Sequence, residues 1–226
     1  MQAALPQKWI TPLKVNNAEN RRYRSRTTAE RRTERRDKLI EAATEAFASD
    51  GYSNTSIEQL CSMAGISARN FYEEFGSKEE LLHTLYDDIN VRAIEAAASA
   101  LAKADPLDFK TRARAGVTAY LKTMTADRRM ARIAHIESVG VSAAMEAHRQ
   151  AALNVFASLI KQEANRLAKI KLAPKRDFSL TAIALVGAIR GLAVASVTPG
   201  DKPQSLEKIA AEATHLIVAA ILQSPA

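Results

Sequence analysis

A single cysteine, Cys61, in 226 residues excludes an intrachain disulfide and makes the reducing cytoplasm the default compartment. Cys61 lies within a short apolar-periodic segment and reads as a small apolar filler rather than a redox sensor. Aromatic residues make up only 5% of the chain and alternating β-branched runs are nearly missing, which argues against a sheet. No stretch reaches about eighteen uninterrupted apolar residues, so no membrane span is expected; the best candidate, 181–197, is broken by Arg190. Residues 1–20 carry no apolar core for a signal peptide and are expected to form a flexible tail. The furniture of an enzyme is missing as well. His83, His135, His148 and His215 are scattered without a His-x-x-x-His pair, and there is neither a G-x-S-x-G nor a phosphate-binding glycine loop. No catalytic residue, metal or cofactor is expected.

What is present is 47% hydrophobic residues with abundant alanine, enough for one or two tightly packed helical domains. The net charge of +7 is unevenly placed. Residues 21–38 hold nine basic and three acidic side chains, whereas residues 39–91 hold two basic and ten acidic ones. Residues 92–226 return to an excess of eight positive charges. A basic segment next to an acidic unit is the electrostatic footprint expected of a polyanion binder whose arm neutralises phosphates. Such an arm can also enter a minor groove through arginine.

The punctuation of residues 55–82 is the most specific signal. Ser56 followed by Gln59 fits a capping box and predicts a helix over 57–64, with Ile57, Leu60 and Cys61 on one face. Gly65 can close that helix in the left-handed conformation, and Ile66 plugs the turn. Ser67 then caps a second helix over 68–75, in which Phe71 and Phe75 share a face, and Gly76 breaks it. Ser77 with Glu80 predicts another capping box and a long helix over 78–104. Two short helices crossing steeply over a three-residue turn are the plan of a helix-turn-helix reader of double-stranded DNA.

In these residues the chain resembles the TetR family of bacterial transcriptional regulators. The matching order is Thr55-Ser56-Ile57, Ala64-Gly65-Ile66-Ser67, Phe71-Tyr72, Phe75 and Ser77-Lys78-Glu79-Glu80-Leu81-Leu82. Upstream, Leu39-Ile40, Ala43 and Phe47 followed by Gly51-Tyr52 resemble the family's first helix, expected over 33–50. The likeness covers about residues 33–90 and continues beyond only in general layout.

Position along the second short helix assigns Ala68, Arg69 and Asn70 to base edges, since Arg pairs with guanine and Asn with adenine in the major groove. For Arg69 the competing reading is a phosphate contact or an intrahelical pair with Glu73. The resemblance implies phosphate contacts at Thr55, Tyr72 and Lys78. Ser67 at the helix start and Arg31, Arg32 and Arg35 of the basic segment are expected to join them. Glu73 and Glu74 depart from the family, which often has aromatic or basic residues there. An acidic side chain facing DNA would repel it, so both are expected to turn away or pair with arginine.

The remainder predicts five helices, over 106–125, 127–139, 142–169, 178–197 and 205–223, with loops at Pro174 and around Pro199-Gly200. The last two are apolar on more than one face. Leu185, Gly187, Ala188, Gly191 and Leu192, with Ile209, Ala213, Leu216, Ile217 and Ala220, are therefore expected at a two-fold four-helix interface, as the resemblance also implies; a buried monomer core is the other reading. A ligand cavity is implied by the resemblance, with Tyr120, Met124, Ile133, Ile136, Met145, Phe156 and Ile160 as candidate liners or ordinary packing. Arg190, a charge in an apolar helix, must pair with a carboxylate or meet an anionic ligand.

The expectation is thus an all-α chain. It has a basic N-terminal arm (1–32), a three-helix DNA-binding domain (33–90) and a helical ligand-binding and dimerisation domain (91–226), with the boundary inside the long helix near 88–92. The expected protein is a cytoplasmic, nucleoid-associated repressor that binds a palindromic operator as a homodimer and is released by a small-molecule effector. The alternative is a ligand-independent DNA-binding activator or architectural protein.

Overall fold

The computed structural model describes residues 27–197 and 204–223, and every described element is helical. The arginines at 21, 22, 24 and 26 and the loop around Pro199-Gly200 lie outside the described residues.

Helix α1 spans Thr28–Ser49, five residues ahead of its expected start. Thr27 accepts from the Glu30 amide while the Glu30 carboxylate accepts from the Thr27 amide, a complete capping box that the surrounding charge run disguises. Arg31 and Arg32 therefore stand on a helix and not on an arm. Helix α2 (Ile57–Ala64) and helix α3 (Ala68–Glu74) flank a turn in which Gly65 has φ 65° and its N–H bonds back to Cys61 and Ser62. Helix α4 (Lys78–Lys103) is one unbroken rod, capped by Ser77. The caps at Ser56 and Ser77 are not reciprocal boxes. The Gln59 side chain bonds Asp50 instead, and the Glu80 carboxylate takes the Gly76 amide.

Helix α5 (Phe109–Thr125) starts three residues later than expected, because Asp108 rather than Pro106 begins it by accepting from the Thr111 amide. Helix α6 (Arg128–Arg132) runs directly into a π-helical turn, Ile133–Glu137. Helices α7 (Ala143–Lys169), α8 (Ser179–Val197) and α9 (Leu206–Leu222) complete the body close to their expected bounds. No described helix is long and apolar enough to cross a membrane.

Two cores hold the fold. One gathers Leu39, Phe47, Leu60, Phe71, Phe75, Leu81 and Leu85 beneath α1–α4. It continues through Ile89 and Ala93 to Met124, Met130, Ile133 and Met145, so apolar packing passes without a seam across residue 90. The other joins α5, α7, α8 and α9 through Leu121, Leu167, Phe178, Leu185, Ala213 and Ile217.

Candidate functional site

The short helix α3 presents its first turn to solvent: Ser67, Ala68 and Arg69 are exposed and Asn70 is half-buried. Phe71 and Phe75 anchor the opposite face in the core, with ring centroids 6.1 Å apart. The seven residues rise about 10 Å, enough for one pass through a major groove. Ser67 Oγ accepts from the Asn70 amide at 3.2 Å, so its hydroxyl caps the helix. Arg69 is 88% exposed and its Nε donates to Glu73 at 3.1 Å. The intrahelical pair thus exists in the DNA-free chain, but an exposed pair of this kind contributes only about 0.5 kcal/mol. Tyr72 is 58% exposed beside it, its ring edge-on to Phe71.

Two expected phosphate contacts are turned elsewhere. Thr55 is buried, and its hydroxyl donates to the Gly51 and Ala46 carbonyls, bracing the α1–α2 connection. Its hydroxyl is a turn brace here, not a phosphate contact. The Lys78 ammonium donates to the carbonyls of Tyr52 at 2.8 Å and Thr55 at 2.7 Å and sits 4.2 Å above the Tyr52 ring. Burial lowers its pKa. Two of the three ammonium protons are committed, leaving one for a phosphate.

The basic residues of α1 are likewise engaged. Glu74, with a fully buried side chain, accepts from Arg35 at 2.8 Å and from Arg32 at 3.0 Å, while Arg36 donates to its carbonyl and lies over the Phe75 ring. Burial pushes the carboxyl pKa up, but the hydrogen bonds and charges of Arg35 and Arg32 outweigh it and hold it low. Of the expected α1 contacts, Arg31 is exposed, whereas Arg32 and Arg35 orient α3 through Glu74. Sequence reading left Glu74 between two alternatives. The signal for its role was an acidic residue on the apolar side of α3 facing arginines at helical spacing. Replacing Glu74 by Gln is expected to lower stability by about 1–2 kcal/mol through lost charge-assisted bonds. It should also release Arg32 and Arg35, steepening the dependence of log Kd on log salt by up to about two counterions. Titration of a duplex across a salt series checks this, and an unchanged slope would reject it.

The body grips this reading head by polar contacts that sequence reading missed. Glu137, in the π turn, accepts from the Tyr52 amide at 2.9 Å and from Arg132 at 3.0 Å. Gly51, at φ 90°, leaves room for it: a Cβ there would meet the Glu137 carboxylate at 3.2 Å. Arg129 reaches Glu41 at 2.8 Å and Glu45 at 3.0 Å on α1, and His148 meets Asp87 at 2.6 Å on α4. Apart from the local Arg132–Glu137 pair, all join residues more than sixty positions apart, so no local pattern announces them.

A cavity of about 90 Å³ lies among α4, α5, α7, α8 and α9, walled by Leu101, Phe109, Val117, Val186, Ile189 and Ile217. Tyr120, Phe156 and Ile160 line it too. Met124, Ile133 and Met145 instead fill the first core, and Ile136 is 38% exposed. The difference is helical phase: Met124, Ile133 and Met145 turn to the first core rather than to the cavity. Burial pushes the Tyr120 hydroxyl pKa well up, so it stays protonated. Of the residues expected between two copies, Leu185, Ile209, Ala213 and Ile217 belong to the second core of a single chain. Gly187 and Gly191 are exposed, and Ala188, Leu192, Leu216 and Ala220 are half-buried.

Among the described residues there is no cluster of three or more His, Cys, Asp or Glu able to hold a metal. Residues 39–85 match the model of the bacterial regulatory proteins of the tetR family. The HTH-type transcriptional regulator TcmR of Streptomyces glaucescens is 41% identical over 49 residues, a match that spans only 22% of either chain. The regulator FadR of Bacillus subtilis, solved in complex with stearoyl-CoA, superposes with a TM-score of 0.72 at 17% identity, covering 81% of this chain and 98% of that one. AibR, solved with isovaleryl coenzyme A and operator DNA, gives 0.63 at 16% identity, covering 80% and 97%. At these identities the two structures speak for the fold. The reading head, residues 39–85, is thus similar to that of the tetR family of bacterial regulatory proteins.

Proposed function

We propose that the chain is a homodimeric, effector-responsive repressor that reads a palindromic operator through α3. In this reading 33–90 is the DNA-binding unit and 91–226 the effector-binding and dimerisation unit. The observation that carries it is the continuity of α4. Its first residue, Lys78, clamps the connection below α2, and near its other end Ala97 and Leu101 wall the cavity. A ligand that favours one tilt of this rod changes the spacing of two reading heads, which must fit major grooves about 34–36 Å apart. Leu180, at 80% exposure, and Ile183, Ala184, Gly187 and Gly191 form an exposed apolar face on α8 suited to a second copy. The complexes of FadR with stearoyl-CoA and of AibR with isovaleryl coenzyme A and operator DNA support the same division of labour.

The test is binding to a duplex from immediately upstream of the protein's own gene, across a salt series, with sedimentation giving the stoichiometry. Two chains per site and salt-sensitive binding are expected. Arg69→Ala is expected to lose about 1–3 kcal/mol, a roughly 5- to 150-fold weakening confined to the cognate sequence. Equal binding of cognate and scrambled duplexes by the unaltered protein would end this reading.

A further inference from the structure

Beside the cavity, where α4, α5, the π turn, α7 and α8 converge, lies a buried polar cluster. Arg149 on α7 is only 3% exposed, and its Nε is buried with no hydrogen-bond partner. Its one ion-pair partner among the described residues, Glu146, is 57% exposed and belongs to the same helix. His135 in the π turn is 7% exposed, and its Nε2 is equally without a partner. Arg190 on α8 is half-buried, adjacent in sequence to the cavity residue Ile189, and makes no ion pair among the described residues. It lies within electrostatic reach of Arg149, of Tyr86 and of the cavity residue Tyr120. Burial and the charge of Arg149 together lower its pKa.

The guanidinium groups of Arg149 and Arg190 only donate, whereas the imidazole and the tyrosine hydroxyls nearby can donate or accept. Two guanidinium groups face one largely exposed carboxylate, and burial with the charges of Arg190 and Arg149 pushes His135 down to about 4, leaving it neutral. Burial also keeps the Tyr86 and Tyr120 hydroxyls protonated. Each buried polar atom left without a partner costs about 1–3 kcal/mol, and this cluster holds two, Arg149 Nε and His135 Nε2. A water molecule could accept hydrogen bonds but would leave the second guanidinium charge uncompensated; a monoanion answers both deficits.

We propose that Arg149 and Arg190, with His135, form an anion subsite continuous with the apolar cavity, and that the effector is an amphipathic anion whose chain fills the cavity. This deepens the effector-responsive reading and rests on it. The head group is a carboxylate or a phosphate, chemistries that a guanidinium pair accepts equally. The position suits transmission. His135 shares the π turn with Glu137, which holds the Tyr52 amide of the reading head. An anion that draws on His135 therefore acts on a five-residue turn that is already bonded to the head. Such turns are commonly functional, being ladders with more than one available register.

Calorimetric titration of the full chain with octanoate, octyl phosphate and octanol tests the subsite, with operator release followed separately. At least one anion is expected to bind roughly tenfold or more tightly than octanol, the advantage of a charge-assisted pair. That advantage should vanish in Arg190→Gln, fall in Arg149→Gln and return in part in Arg190→Lys. The two anions distinguish a carboxylate from a phosphate source. Octanol matching both anions in the unaltered protein, failure of both anions to bind, or an undiminished preference in a folded Arg190→Gln protein would overturn the subsite. If octanol bound and released the operator, the regulator reading would stand without the anion; if anions bound but left operator affinity unchanged, the reverse would hold.

Discussion

Arg112→Met is expected to destabilise the chain by about 3 kcal/mol, lowering the thermal midpoint by roughly 10 °C. Arg112 is 8% exposed and all its bonds go to protein. Nε and Nη2 reach the two oxygens of Glu163 at 2.8 and 3.3 Å, and Nη1 donates to the Leu101 and Ala104 carbonyls at 2.7 and 2.9 Å. Those carbonyls belong to the end of α4, where the helix itself supplies no partners. One guanidinium therefore caps α4, anchors α5 and meets α7. Methionine fills much of the volume but leaves the carbonyls and the carboxylate to find other donors. Breaking a buried pair of this kind costs about 3–5 kcal/mol; the lower end applies because Glu163 keeps Arg166 at 2.7 Å. Burial pushes the Glu163 pKa up, and the hydrogen bonds and charges of the two arginines outweigh it. Arg166→Met, losing the more exposed partner, is the control and should cost about 1 kcal/mol or less. Because Leu101, Ala113 and Glu163 also wall the cavity, any ligand seated there should bind less tightly in the destabilised variant. Circular-dichroism melting decides the matter: equal midpoints for the two variants would show that Arg112 anchors nothing that Arg166 does not.

What was readable in advance was what the chain encodes locally. Ser56, Gly65, Ser67 and Ser77 fix the ends of three helices by hydrogen bonds within four residues, and α2 has the bounds its sequence implies. Local signals failed where two competed. Thr27 and Glu30 were a capping box hidden in a charge run, and Pro106 drew attention from the true cap at Asp108. Phase was less readable still. Tyr120 and Met124 lie one turn apart on α5, yet the first lines the cavity and the second fills the head-side core. Which face meets which neighbour depends on helix crossing, which periodicity does not contain. The same limit left Leu185, Ile209, Ala213 and Ile217 between a two-fold interface and a buried monomer core; in the single chain they belong to the second core. Glu74 and Glu137 are the sharper lesson, since each works through a partner distant in sequence. The departure at Glu73 and Glu74 was visible as an oddity, and pairing with arginine was one of its two expected resolutions: Glu73 takes Arg69, and Glu74 takes Arg32 and Arg35.

Acidification from pH 7 to 4 should cost the unaltered protein about 3 kcal/mol through His135 alone. Burial, with the charges of Arg190 and Arg149, depresses this imidazole from 6.5 to about 4. As pH falls below 6.5 the unfolded chain takes up a proton that the folded chain refuses until about pH 4, so the unfolded state gains. Stability is therefore full above pH 6.5, declines through that window and loses nothing further from this group once both states are protonated. His135→Leu removes the term. At pH 7 the substitution should be near neutral or slightly stabilising, because the imidazole Nε2 it replaces is buried without a partner. Glu74, Glu163 and Asp127, all held low by arginine, lose their own stabilisation in acid in both proteins, so the difference between the two curves isolates His135. Denaturant melts at pH 7, 5.5 and 4.5 suffice, and parallel curves would mean that the imidazole is hydrated and ordinary. An anion seated against Arg149 and Arg190 would cancel much of the field that depresses His135. Saturating the unaltered protein with the preferred anion should then flatten its acid slope towards that of the Leu variant, joining the titration of one buried side chain to occupancy of the subsite beside it.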